Sequence, residues 1–198
     1  QGVFDPARRV SHYLPEMTGS GFGDCPLQHV LDMRVSLDFK EEYLNQDGDY
    51  ARYRRATLWN PQIAGMPVEM LPELLARLGK GSGPHGGAFH YLSPASDLLG
   101  MVLEAVTGKR YAELLAELLW HPMEAERHAE ITVDAGGAPR AAGGLSIAAF
   151  DLLRIGELLL GEGSWNGKRI VSQRWIEDTF SNGDAKAWEQ GTFAGFMK

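Results

Sequence analysis

The pattern of apolar and polar positions along the chain predicts helices joined by glycine- and proline-rich loops, with little strand. In "PLQHVLDM", Leu27, Val30 and Leu31 share one face, and Asp24 ahead of Cys25 and Pro26 supplies an N-cap for a short helix. "PVEMLPELLARLG" carries Val68, Met70, Leu71, Leu74, Leu75 and Leu78 near a helical stripe that Gly79 ends. The next helix, capped by Ser93 or Ser96 and stopped at Gly108, has Leu98, Leu99, Met101, Val102, Leu103 and Val106 nearly all round it, which predicts deep burial. "RYAELLAELLWHP" follows as a helix halted by Pro122, then "AEITVD" as a short strand and "AGGAPRAAGG" as a loop.

Beyond that loop, Ser146 is the expected cap of "IAAFDLLRIGELLLG", where Ile147, Phe150, Leu153 and Leu158 predict a second long buried helix. Gly156 in its middle costs about 1 kcal/mol against alanine and therefore predicts close packing against another element. Asn166-Gly167 reads as a turn, and Ser172 as the cap of "QRWIEDTF". The polar stretch from Leu44 to Pro67, with Tyr53 and Trp59 embedded, has the character of a binding loop. No internal repeat or linker divides the chain, and by pattern alone it is one mainly helical unit.

Charge then narrows the partners. A formal charge of −7, from 26 acidic against 19 basic residues, argues against a nucleic-acid binder, and the run Arg52, Arg54, Arg55 does not reverse it. No apolar run of about 18 residues is present that could span a membrane. The single Cys25 cannot form an internal disulfide, which is compatible with a reducing compartment and favours a cytoplasmic setting. Gln1 is not an initiator, and the opening "QGVFDPARRVSHYLPEM" begins in the manner of a loop, so the chain is expected to be an internal fragment.

Several motifs fall away on their context. "GSGPHG" fits G-x-G-x-x-G but follows a helix rather than a strand. His85 with His90, and His121 with His128, lack the spacing of a zinc site, and no metal or cofactor is expected. His12 and His29 read as surface or satisfied polar residues. There is no G-x-S-x-G elbow, and no serine has a lysine three residues on, so a Ser-x-x-Lys nucleophile would have to lie upstream of Gln1. Tyr91, between the glycine-rich run and the buried helix, is either a core aromatic or a phenol aimed into a cleft.

The order of these motifs carries a resemblance. "FHYLSPASDLLGMVLEAVTGKRYAELLAELLW", followed by "PRAAGGLSIAAFDLLRIGELLLGEGSWNGKRIVSQRWI", resembles the serine hydrolases related to class C β-lactamases and penicillin-binding proteins. "PLQHVLDMRVSLDFKEEY" is similar to the branch of the 6-aminohexanoate-dimer hydrolases. The resemblance implies an α+β fold with an antiparallel sheet and a helical domain. Residues 1–198 would supply one partial domain, mainly its helical part, without the nucleophile helix upstream and the strands downstream.

It further implies that Tyr91 is the tyrosine of a Tyr-x-Asn motif, here Tyr-Leu-Ser, relaying a proton with a lysine. Ser93 holds that motif's third position, Tyr43 matches a substrate-contacting tyrosine, and Gly143 and Gly144 match a loop lining the cleft. Ala142 stands where that branch has an asparagine, and its substrate-binding acid has no counterpart between Leu44 and Arg55. The implied activity is hydrolysis of a small amide or ester through an acyl-enzyme, with the segment inactive alone. A binding module that keeps the penicillin-recognising fold, or a β-lactamase or D-amino-acid peptidase, are the alternatives.

Overall fold

A computed structural model describes residues 4–195, in which helices dominate and strands occur only as short antiparallel pairs. The helices are α1 Val10–Tyr13, α2 Leu27–Leu31, α3 Asp49–Ala56, α4 Leu71–Arg77, α5 Ser93–Thr107, α6 Tyr111–Leu115, α7 Ala149–Leu160, α8 Gln173–Ser181 and α9 Ala185–Glu189. The ladders pair β1 Leu37–Asp38 with β2 Gly79–Lys80, β3 Glu130–Ile131 with β4 Leu145–Ser146, and β5 Ser164–Trp165 with β6 Lys168–Arg169. Among the described residues no helix is long and apolar enough to cross a membrane.

The main core gathers around α5. Ala95, Leu98, Met101 and Val102 meet Leu71, Leu74 and Leu75 of α4, Tyr53 of α3, and Val10, Met17 and Phe22 from the first thirty residues. Spacings of three and four put Pro94, Leu98, Met101 and Val102 on one face of α5, and Gly108 at φ +68° ends the helix in the left-handed conformation. Residues 35 to 41 alternate: Val35, Leu37 and Phe39 are buried while Asp38 and Lys40 are exposed, so Glu41 falls in register with the inward set. A second, smaller cluster joins Trp120, Met123 and Leu158.

Several helix starts differ from expectation, two of them because distant side chains serve the backbone. Asp24 does not cap α2; its carboxylate pairs with Lys80 Nζ at 2.5 Å and His85 Nε2 at 2.9 Å. Neither Ser93 nor Ser96 caps α5: Leu92 is the N-cap residue, and the amide of Ser93 donates to Glu41 instead. Ser146 lies in β4, and α7 begins at Ala149 behind Ala148. The stripe of "PVEMLPELLARLG" is helical only over Leu71–Arg77, its first amide held by Asp134 Oδ2 at 2.8 Å, and Gly79 enters β2 rather than capping the helix. Ser172 does cap α8, accepting from the amide of Trp175 at 3.3 Å.

Two expectations of burial are overturned. Helix α7 buries Asp151 and Leu158, but Phe150 is 78% exposed and Leu153 59%, and a side chain at Gly156 would meet open space. The region from Leu44 to Pro67 is not all loop: α3 lies within it and Tyr53 is fully buried. The Asn166-Gly167 turn is present, both residues at positive φ as the tight turn between β5 and β6 requires.

Candidate active site

The glycine-rich run reaches Tyr91 by way of anchors at both sides. His85 Nδ1 accepts the amide of Ser36 at 3.1 Å while Nε2 faces Asp24, and the side chain of Arg34 donates to the carbonyls of Gly86 and Gly87. Two residues further on, the amides of Phe89 and Tyr91 are tied to the far end of the chain. Phe89 donates to Ala187 O at 2.9 Å, and Tyr91 to Thr192 Oγ1 at 3.2 Å. The Tyr91 ring lies 5.3 Å from that of Phe193, tilted by 51°. Tyr91 is thus half-buried, supported by aromatic rings on one side, rather than a core residue.

Tyr43 and Ser93 come together through a residue that had not been singled out. Glu41 accepts from the Ser93 amide through Oε1 at 2.5 Å and from the Tyr43 hydroxyl through Oε2 at 3.0 Å. The Tyr43 ring packs edge-on against Tyr50 at 4.8 Å, and the Tyr91 phenol lies within electrostatic reach of both rings. Partial burial of Tyr43, together with the Glu41 carboxylate, raises its phenol above the ordinary range, so it stays protonated and its O–H remains directed at Glu41. Its oxygen lone pairs are left for a ligand's donor. Tyr43 is 54% exposed.

Gly143 and Gly144 join this group one step removed. Gly143 has φ +131°, and its amino-acid neighbour Gly144 is so tightly enclosed that a Cβ would stand 2.5 Å from Thr132 Oγ1 and 2.6 Å from Arg140 Cβ. The loop is tied to α5 because Ala142 donates its amide to Asp97 Oδ1 at 2.8 Å. Asp97, one turn beyond Ser93, also receives Tyr53 Oη at 2.5 Å and Arg140 Nη1 at 2.7 Å on its other oxygen. Burial pushes the Asp97 carboxyl above its usual range, against the opposing pull of Arg140 and its hydrogen-bond donors. The Arg140 guanidinium is stacked between the rings of Tyr53, at 4.6 Å, and Trp59, at 4.8 Å.

Sequence reasoning passed over Glu41 and Asp97, although each had a signal. Glu41 is the fourth inward position of an alternating run, and Asp97 is the lone charge on the apolar face of α5. Cys25 is buried, and burial pushes its thiol up to about 12, which makes it an inert core residue. Among the described residues, no three His, Cys, Asp or Glu side chains converge as a metal site would require.

The fold and the motif order can be set beside known proteins. The sequence profile of the beta-lactamase family matches residues 1–194. The chain belongs to the beta-lactamase family. Within it, the chain is 37% identical over 187 residues to a 6-aminohexanoate-dimer hydrolase of Paenarthrobacter ureafaciens, covering 94% of this chain and 47% of that protein. It thus spans about half the length of the curated relative it matches. Among solved structures, a Bacillus anthracis protein assigned by name to the 6-aminohexanoate-dimer hydrolases superposes with a TM-score of 0.81 at 26% identity, over 89% of this chain and 46% of that one. A hydrolase with promiscuous acyltransferase activity shares the fold at a TM-score of 0.68 and 20% identity, over 96% of this chain and 60% of the other. The α+β beta-lactamase-like fold expected from the motif order is therefore the fold of this chain, which contributes mainly helices to it.

Proposed function

We propose that the intact protein is a serine hydrolase that cleaves a small amide or ester through an acyl-enzyme. The observation that carries this reading is that Glu41 joins the Tyr43 hydroxyl to the Ser93 amide at the start of α5, two residues past Tyr91, in a chain similar to a 6-aminohexanoate-dimer hydrolase. The chain itself has no Ser-x-x-Lys, so the nucleophile and its lysine are assigned to a segment outside it.

In this mechanism the serine hydroxyl attacks the substrate carbonyl, and its proton passes through the lysine and Tyr91 to the departing amine or alkoxide. Water then attacks the acyl-serine, releasing the acid and returning the proton to the serine. Tyr43, its own O–H committed to Glu41, offers its oxygen to a donor on the substrate. Gly143, exposed and without a side chain, is assigned to the opposite wall, where the substrate can approach the backbone, and Gly144 behind it packs against Thr132 and Arg140.

The test is intact-mass analysis of the full-length protein after incubation with a fluorophosphonate, alongside a p-nitrophenyl acyl ester as substrate. A single covalent adduct is expected, and Tyr91→Phe is expected to slow acylation by about a hundredfold or more, the usual scale for losing a proton-transfer group. A correctly folded protein that forms no adduct would exclude the acyl-enzyme and leave a binding module on the same fold.

A further inference from the structure

The cluster of Asp97, Arg140 and Tyr53 has no part in the chemistry proposed above, yet among the described residues it is the most completely enclosed polar cluster. Asp97 and Tyr53 have no exposed surface and Arg140 only 2%. As a stabilising device it is poorly made. Burial of an ion pair is repaid only when geometry and the remaining hydrogen bonds are both complete, and Arg140 Nε is buried without a hydrogen-bond partner among the described residues. The guanidinium uses one nitrogen, Nη1, toward both Asp97 and Tyr53 rather than a two-pronged fork.

What the cluster does well is fix direction. Arg140 and Tyr53 together occupy Asp97 Oδ2, which leaves Oδ1 aimed at the amide of Ala142, immediately before Gly143. Trp59 lies over the guanidinium, donates to Thr132 Oγ1 at 3.3 Å, and has its ring edge 3.8 Å from where a Cβ on Gly143 would stand. Three segments therefore meet at one carboxylate, α3, α5 and the loop from Arg140 to Gly144, and the Trp59 turn joins them through the Arg140 guanidinium. Gly143, exposed and at φ +131°, has little of its own to hold it.

We propose that Asp97, oriented by Arg140 and Tyr53, is a positioning residue that keeps the Gly143–Gly144 loop in register with the start of α5, where Ser93 and Tyr91 stand. The catalytic consequence rests on the function proposed above; the register itself does not. A loop displaced by about an ångström loses catalysis on the order of a hundredfold, while ground-state binding of a small acyl ester changes far less. The signature is therefore a fall in kcat with KM retained.

The decisive variant replaces the cluster by apolar residues of similar volume, Asp97→Leu/Arg140→Met/Tyr53→Phe, in the intact protein. Such replacements commonly preserve or raise stability, which separates positioning from folding. Hydrogen exchange across residues 140–144 is expected to quicken by about tenfold or more, reflecting the lost acceptor of the Ala142 amide. Acylation by the p-nitrophenyl ester is expected to fall by at least about tenfold in kcat, with KM within about twofold. A folded triple variant with wild-type exchange at Ala142, or one with faster exchange but wild-type kcat, overturns the proposal.

Should the triple variant not fold, Tyr53→Phe alone keeps the ion pair and frees one lone pair on Asp97. It is expected to speed exchange at 140–144 and lower kcat by about threefold, as the hydroxyl's bonds to Asp97 and from Arg140 are both lost; no change in either overturns the proposal. Absence of an adduct in the wild type would instead remove the proposed function, while the exchange measurement still decides the register.

Discussion

Helices α5 and α7 are the two longest among the described residues and both carry many apolar side chains, yet they occupy opposite environments. α5 packs Ala95, Leu98, Met101 and Val102 into the main core, whereas α7 leaves Phe150, Leu152, Leu153 and Leu160 open and buries Leu158. Both carry one fully buried aspartate that gathers backbone amides from a neighbouring loop. Asp97 takes Ala142, and Asp151 takes Glu126 at 2.9 Å and Arg127 at 3.1 Å. Each is also paired with an arginine, Arg140 or Arg154. The polar anchor is common to the two helices and the apolar packing is not. The lesson is that a carboxylate holding loop amides can seat a helix where its leucines find few partners.

That comparison can be broken by paired truncations in the intact protein. Leu98→Ala is expected to cost about 2–5 kcal/mol by denaturant unfolding, because the cavity would open against α4 and the segments before α3. Phe150→Ser on α7 is expected to cost about 0.5 kcal/mol or less, as a substitution away from packed features does. A loss at Phe150 as large as that at Leu98 would mean that another part of the protein covers the outer face of α7, and the contrast would dissolve.

A smaller effect tests the elements beyond α7. Removing the one serine cap that formed as expected, with Ser172→Ala, should cost about 1 kcal/mol, measurable as a shifted midpoint. A neutral result would place α8 under tertiary rather than local control.

The smallest effect is electrostatic and tests the anchoring of the Tyr91 approach. Hydrogen bonds from Lys80 and His85 lower Asp24 to about 2, below its unfolded value near 4, so it contributes stability above pH 4 that is lost as pH falls through 4 toward 2. With the carboxylate half exposed, the contribution is expected to be about 1 kcal/mol or less and to fade in salt. The stability of Asp24→Asn should therefore fall below wild type near neutral pH and converge with it near pH 2. A constant gap across that range would show that the carboxylate's charge is not what matters there.

Much of the helical framework was legible in the sequence, and the reason is local. Leu98, Met101 and Val102 recur at helical spacing, Gly108 can take a positive φ, and Asn166-Gly167 can form a tight turn, all without reference to distant residues. The helix starts failed where the partner was remote. Glu41 serves the amide of Ser93 from 52 residues away, and Asp134 serves Leu71 from 63. Serines at the expected cap positions could not reveal that a carboxylate from elsewhere would do their work.

The burial of α7 was misjudged for a related reason: a stripe of leucines states that a helix is amphipathic, not what lies opposite it. The order of motifs nominated the aromatic and glycine positions of the candidate site. Its connecting acids were not, since Glu41 and Asp97 acquire meaning only when Tyr43, Ala142 and Arg140 are brought beside them.

The ties from Phe89 and Tyr91 to Ala187 and Thr192 also set a timetable. At a synthesis rate of about 5–20 residues per second, roughly 5–20 s pass between the emergence of Tyr91 and that of Thr192. During that interval α5 can already settle onto α2 and α4, whose sequence lies upstream, while the segment leading into Tyr91 lacks the partners of its amides. The ribosome thus delivers the scaffold before the approach to the phenol can close, and a nascent chain paused short of Ala187 would hold a folded core beneath an unfinished cleft.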